Sequence, residues 1–316
     1  MSHDIIVDAG PIPLRSDRPV SIVFGAGGVR GLAHVGALDV LQRGGFEIRD
    51  IAGASVGALI GVFYAAVGLD AGELARAGHD LRSRHLLSWA IVRGAPGWVR
   101  RLGLRCCGAI PDYLRQAGAA TFARLHHGVQ RLSIVALDAA TGELVICDGR
   151  SDVTVEDAMR GAAAVPGVFP PRRCTDRGRE LQLVDAGAVN SLPVDVLFRE
   201  GGAPVQIVAV DISRAPLQRA RNREKIARLR REHPDVPIAV LYPETFGEGT
   251  LVYSRGVPAR LFEAGRAAAR QLVDGGRTSR PVLPPVAAPA PMPSRAATVY
   301  LADSAIASAR RDAQQR

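Results

Sequence analysis

The feature that most constrains this chain is residues 51–69, a run without a single charged side chain. Its length approaches the roughly 20 residues that span a bilayer as one helix. Its content argues otherwise. Ile51 to Ala54 opens like a strand, and Gly53-Ala54-Ser55-Val56-Gly57 then breaks the run with a GxSxG element. The remainder to about Val67 is an apolar, helix-length segment. A buried strand, a sharp turn and a buried helix fit this order, and a transmembrane helix is not expected.

The same order occurs just upstream. Val20 to Phe24 (VSIVF) reads as a strand and runs into Gly25-Ala26-Gly27-Gly28. A helix is expected from Val29 to Arg43, with Leu32, Val35, Leu38 and Leu41 on its apolar face and Gly44-Gly45 ending it. Strand–helix–strand–helix order predicts an α/β fold, a mostly parallel central sheet with helices on its faces. Residues 72–125 read as helical but less regular. Further strands are expected at Leu132–Leu137, Leu144–Cys147, Leu181–Val184, Val205–Val210 and Ile238–Leu241. Further helices are expected at Thr154–Ala163, Leu217–Arg231 and Leu261–Val273. The domain boundaries follow: a loose lead-in over 1–17, one main domain over 18–280, a Pro/Ala-rich linker over 281–293 and a tail over 294–316 that can form one helix.

Composition sets outer limits. With 316 residues, 47% hydrophobic and 22% charged, the chain can bury a sizeable core. A net charge of +9, almost all from arginine, suits an anionic partner such as a phospholipid surface; compositional drift explains it equally well. No zinc-finger, RRM or helix-turn-helix pattern accompanies the charge, so no nucleic acid is expected. Cys106, Cys107, Cys147 and Cys174 lack metal-ligand spacing and suit reduced thiols in the cytoplasm. Met1 to Arg18 has no apolar stretch of the signal-peptide kind.

GxSxG between an apolar strand and an apolar helix is the setting of a nucleophile elbow, with Ser55 as nucleophile; a plain small-residue packing turn is the bland alternative. Gly53 and Gly57 leave room for the turn. Acyl transfer also needs an oxyanion hole and a base. Backbone N–H groups of Gly27 and Gly28, in the glycine-rich turn that ends at Gly31, are the candidate donors, with Arg30 adding positive charge. A dinucleotide fingerprint starting at Gly25 would need glycine where Arg30 stands, and a Walker loop would need a lysine the turn lacks. For the base, His233 is the only histidine after Asp185, in what reads as a surface turn beside Pro234. Asp185, at the end of a short strand and followed by Ala186-Gly187, is the better candidate.

Taken together, Gly27-Gly28-Val29-Arg30-Gly31, Gly53-Ala54-Ser55-Val56-Gly57 and Asp185-Ala186-Gly187 resemble the patatin-like phospholipase family. So do Leu137-Asp138 with Thr141-Gly142-Glu143, the segment Ala164 to Pro171 (AVPGVFPP), and Val189-Asn190 with Leu192-Pro193-Val194. The resemblance covers residues 18 to 275. It departs from the family pattern at Ala26 and Ala186, where glycine is usual. A positive φ at Ala186 would cost about 1 kcal/mol.

The resemblance implies a three-layer α/β/α fold and a serine lipid acyl hydrolase without metal or cofactor. Asp185 would take the proton of Ser55, Gly27 and Gly28 would hold the oxyanion, and an acyl-enzyme would form. Substrates would be phospholipid, lysophospholipid or acylglycerol esters. An acyltransferase using the same dyad, and a non-catalytic lipid- or partner-binding module, are the alternatives. His85–Arg105 and the basic helix are the two segments that could contact a membrane surface peripherally, but a segment packed on the core and a solvated face are the favoured readings of them.

Overall fold

The computed structural model describes residues 6–10, 13–80, 107–199, 204–245, 254 and 256–275. Its strands are β1 (Ile6–Asp8), β2 (Val20–Phe24), β3 (Ile48–Ala54), β4 (Arg131–Asp138), β5 (Leu144–Cys147), β6 (Arg172–Asp176), β7 (Arg179–Asp185), β8 (Ile207–Val210) and β9 (Ile238–Tyr242). Its α-helices are α1 (Leu32–Arg43), α2 (Val56–Gly61), α3 (Ala71–Asp80), α4 (Ile110–Ala119), α5 (Val155–Ala162), α6 (Pro216–Glu232) and α7 (Val257–Gly275).

One sheet holds the strands in the order β1-β9-β8-β2-β3-β4-β7-β6, with β5 also on β4. The five central strands, β9-β8-β2-β3-β4, are parallel, and the pairings at both flanks are antiparallel. Every residue of β2 is buried, as continuous apolar strands covered on both faces require. Side chains alternate between two cores. Ile22, Phe24 and Ile51 pack with Leu38, Leu41 and Leu261 on one face. Val23, Ala52 and Ala54 pack with Leu197, Ile226 and Leu229 on the other. The fold is therefore the expected three-layer α/β/α arrangement.

Residues 51–69 form the end of β3, the turn at Ser55, α2 and a π-helical stretch over Val62–Val67. Among the described residues no helix is long and apolar enough to cross a membrane. Two elements differ from expectation. The lead-in over 1–17 contributes an edge strand: Ile6–Asp8 pairs antiparallel with β9, and Arg230 bonds Asp8 and the Ile238 carbonyl. A three-residue strand is too short to carry a periodic signal. Arg172–Asp176 pairs with β7 through a two-residue turn, Arg177-Gly178, both at positive φ. That is the twist-matched hairpin turn, hidden by the many charges around it. Segment 85–105, the Pro/Ala-rich linker and the tail lie outside the described residues.

Candidate active site

Ser55 joins β3 to α2 with φ 54° and ψ −127°, a conformation costly for any residue with a β-carbon. Its surroundings enforce it. A β-carbon on Gly57 would lie 2.2 Å from the Phe24 carbonyl oxygen, and one on Gly53 would lie 2.5 Å from the Gly57 backbone. Strand and helix approach so closely that only glycine fits on either side. The Ser55 carbonyl accepts from the N–H groups of Ala58 and Leu59, so the helix begins at once and the hydroxyl projects beside its first turn.

Strand pairing brings the partner. Val135 of β4 pairs with Ala54 on one edge and Ile146 on the other. The next residue, Ala136, pairs with Val145 and Asp185. Strand β7 thus lies on the edge of β4 that β3 occupies, beyond the end of β3 and running toward it. The two strand ends meet head-on, and Ser55 Oγ donates to Asp185 Oδ2 at 2.5 Å. The other oxygen, Oδ1, accepts from the Gly187 N–H at 2.7 Å. Burial raises the Asp185 pKa above the ordinary carboxylate range, against the hydrogen bonds from Ser55 and Gly187, which lower it. A carboxylate desolvated in this way is a stronger base than aspartate in water.

Asp138 ties β7 to β4. Its buried carboxylate accepts from the Gln182 and Ala140 N–H groups, Thr141 Oγ1 and Arg179. Burial alone would raise its pKa, but these bonds together hold it below the usual value. The Asp185 N–H in turn bonds the Ala164 carbonyl. Ala186 is buried and is not among the residues at positive φ, so alanine carries no left-handed strain there.

The glycine-rich turn borders the same place. The N–H groups of Gly25 and Ala26 bond the carbonyls of Val210 and Ser191. Gly28 has φ 61° and starts a 3-10 turn, Gly28–Gly31. The first N–H groups of a helical turn have no acceptor within it, and here they are those of Gly27, Gly28 and Val29. Gly31 packs on Val56, the neighbour of Ser55: a β-carbon there would lie 2.3 Å from Val56 Cγ2. Arg30 is buried, and its Nε has no hydrogen-bond partner among the described residues. Burial, then the charges of Arg214 and Arg219, lower its pKa, though arginine remains charged. Beneath the turn, buried His34 Nε2 lies 2.7 Å from the Gly25 carbonyl oxygen, an acceptor only, so the ring donates from Nε2.

The structure also places His233 and the basic helix. His233 follows α6, just before β9 begins at the opposite end of the sheet from Ser55, and stacks on Phe198 at 4.0 Å. It does not meet Ser55. The basic helix is not only a solvated face. Gln218, Asn222 and Lys225, one face of α6, point inward. Gln218 Nε2 donates to the Gly187 carbonyl, and Asn222 joins Asp211, Ser213 and Ser191. Lys225 Nζ donates to Asn190 Oδ1 at 2.5 Å and the Leu192 carbonyl at 2.9 Å. The turn after Asp185 is thereby clamped to α6, and through Ser191 to the glycine-rich turn.

YqhO of Bacillus subtilis is 28% identical over 228 residues, 65% of this chain and 74% of YqhO. The NTE family protein Mb2594 of Mycobacterium bovis is 29% identical over 197 residues, 62% of this chain. This chain spans only 31% of that relative's length. VipD from Legionella pneumophila shares the fold, with a TM-score of 0.52 at 14% identity over 82% of this chain and 67% of VipD. A family model described as patatin-like phospholipase matches residues 22–198, more than half of the sequence and the part that carries Ser55 and Asp185; the chain belongs to that family.

Proposed function

We propose that the chain is a serine lipid acyl hydrolase whose catalytic dyad is Ser55 and Asp185. One observation carries the reading: a serine hydroxyl in a strained strand-to-helix turn, hydrogen-bonded at 2.5 Å to a desolvated carboxylate. In this scheme Asp185 accepts the Ser55 proton as Oγ attacks an ester carbonyl. The N–H groups of Gly27 and Gly28 receive the developing oxyanion, with the Arg30 charge beside them. The alcohol leaves with a proton returned by Asp185, and water then releases the fatty acid from the acyl-enzyme. No imidazole takes part, because burial has already raised the basicity of the aspartate. Phospholipid, lysophospholipid and acylglycerol esters are the proposed substrates.

The test is twofold. A fluorophosphonate probe should label the wild-type protein and spare Ser55→Ala. Fatty acid release from a panel of defined lipids should then identify the substrate, while products formed with an added lipid alcohol would identify acyl transfer instead. Wild-type protein that resists the probe and cleaves no ester in the panel would remove the enzyme reading.

A further inference from the structure

Among the described residues, the large apolar side chains most open to water are Val189 (49%), Leu217 (46%) and Val168 (38%). Scattered exposed apolar residues are ordinary in soluble proteins. These three are not scattered. Val189 lies in the turn after Asp185, its N–H bonded to the Ala186 carbonyl. Leu217 precedes Gln218, whose amide bonds the Gly187 carbonyl. Val168 closes the turn that starts near Ala164, whose carbonyl takes the Asp185 N–H. Each belongs to a segment hydrogen-bonded to the Asp185 turn, at the end of the sheet where Ser55 stands.

Charge is concentrated at the same end. The β8–α6 connection packs beside the glycine-rich turn: a β-carbon on Gly27 would lie 2.6 Å from Ile212 Cδ1. Arg214 follows in that connection and is exposed, and Arg219 is half-buried one turn into α6, donating from Nε to the Ser213 carbonyl. Both are near enough to act on Arg30. The first turn of α6 contains no acidic residue. Arginines there oppose the helix dipole, which favours anions at this end. An anionic ligand at that place would complement both the helix N-terminus and the arginines gathered there.

We propose that Val168, Val189 and Leu217, together with Arg214 and Arg219, form a docking face for the surface of an anionic phospholipid bilayer, which sets the Ser55–Asp185 site against the membrane. Apolar side chains enter the headgroup–acyl boundary while arginines pair with lipid phosphates, the combination that holds peripheral proteins on anionic membranes. The proposal rests on the hydrolase reading only for the purpose of docking; attachment itself requires no catalysis.

The experiment uses the full chain as Ser55→Ala, which cannot turn over lipid, in co-sedimentation with vesicles of phosphatidylcholine, with and without phosphatidylglycerol. Binding is expected to the phosphatidylglycerol vesicles, weakening as salt rises. Leu217→Asp and Val168→Asp, each at an exposed position, should each lower the partition coefficient about tenfold, as should Arg214→Glu. With Ser55 restored, Leu217→Asp and Val168→Asp should retain wild-type hydrolysis of a monomeric short-chain ester and lose it on vesicles. Equal binding to both vesicle types, or undiminished binding by both aspartate variants, overturns the docking face. Absence of ester cleavage with vesicle binding intact overturns only the hydrolase reading.

Discussion

Gly187 and Ala26 share a space with room for one β-carbon. A β-carbon added at 187 would lie 2.8 Å from Ala26 Cβ and 2.9 Å from Asp185 Oδ1. This chain has alanine at 26, where the family pattern has glycine, and it is accommodated because 187 remains glycine. Gly187→Ala must therefore displace the glycine-rich turn or the Asp185 carboxylate. A displacement near 1 Å at a reacting group costs about 100-fold in rate, so kcat should fall by about that factor. Adding Ala26→Gly removes one of the two clashes and should recover part of the loss. Steady-state kinetics of the single and double variants decide it: an unchanged kcat in Gly187→Ala would show that the space is larger than described.

Asp185→Asn keeps the size of the side chain and removes its basicity. Loss of a general base costs about 100- to 10,000-fold in kcat. Stability should move the other way. The raised pKa of Asp185 means that its charge is less favourable in the folded protein than in the unfolded chain. A neutral amide relieves that cost, so the melting temperature of Asp185→Asn at neutral pH should equal or exceed that of the wild type. A variant that lost activity and also melted much earlier would point to a structural role for the carboxylate.

The pH profile should bear the mark of the same group. In the proposed scheme Asp185 must be ionised to accept the serine proton, and burial raises its pKa. The rate therefore falls as pH drops through a value above the ordinary aspartate range, and it is fully restored above that value. An acid limb of kcat/KM below the ordinary range would contradict a desolvated base.

How far the sequence disclosed this arrangement depended on what each segment buries. Strand β2 was legible because a strand covered on both faces must be apolar throughout, and VSIVF is. Strand β6, Arg172-Arg173-Cys174-Thr175-Asp176, sits at a sheet edge with alternate residues exposed, and its charges masked it. Ser55 stood out as a candidate from its strand–helix context, whereas Asp185, in a common kind of turn, became one chiefly through the family resemblance of the motifs taken together. What links them was not legible, because head-on strands are fixed by long-range pairing with Val135 and Ala136 rather than by local pattern. The clamp from α6 was hidden for another reason: its inner face is polar. Gln218, Asn222 and Lys225 sit among arginines, so only their helical spacing distinguished them from a solvated surface.

That clamp can be tested through Lys225. Its ammonium is the donor shared by Asn190 Oδ1 and the Leu192 carbonyl, and it forms an ion pair with Asp195 at 3.4 Å. Burial lowers its pKa, while the Asp195 charge and hydrogen bond act in the other direction. Lys225→Met takes the donor from Asn190 Oδ1, at a cost of about 1–3 kcal/mol, and leaves the Leu192 carbonyl with the Val194 N–H. The turn after Asp185 should loosen, so kcat should fall more than KM rises. Lys225→Arg, which keeps the charge and the donors, should recover part of both. Chemical denaturation and kinetics of the two variants supply the comparison, and an inert Lys225→Met would remove the clamp from the account.

His34 should set a limit on acid stability. It is fully buried, and burial lowers its pKa to about 4, against the hydrogen bond to Gly25, which raises it. The unfolded chain takes up this proton near pH 6.5, whereas the folded protein resists it until about pH 4. Between these values the unfolded state binds more protons, so stability declines as pH falls through the window and recovers as it rises. The shift corresponds to about 3 kcal/mol across the window. Asp185 acts in the opposite sense, since its raised pKa favours the folded protein as it becomes protonated. Comparing wild type with His34→Gln cancels that contribution, because both retain Asp185. Glutamine can still donate to the Gly25 carbonyl but does not titrate. Urea unfolding at a series of pH values from 4 to 7 should therefore show a shallower decline in His34→Gln than in the wild type; parallel curves would mean that the buried imidazole carries none of the acid sensitivity.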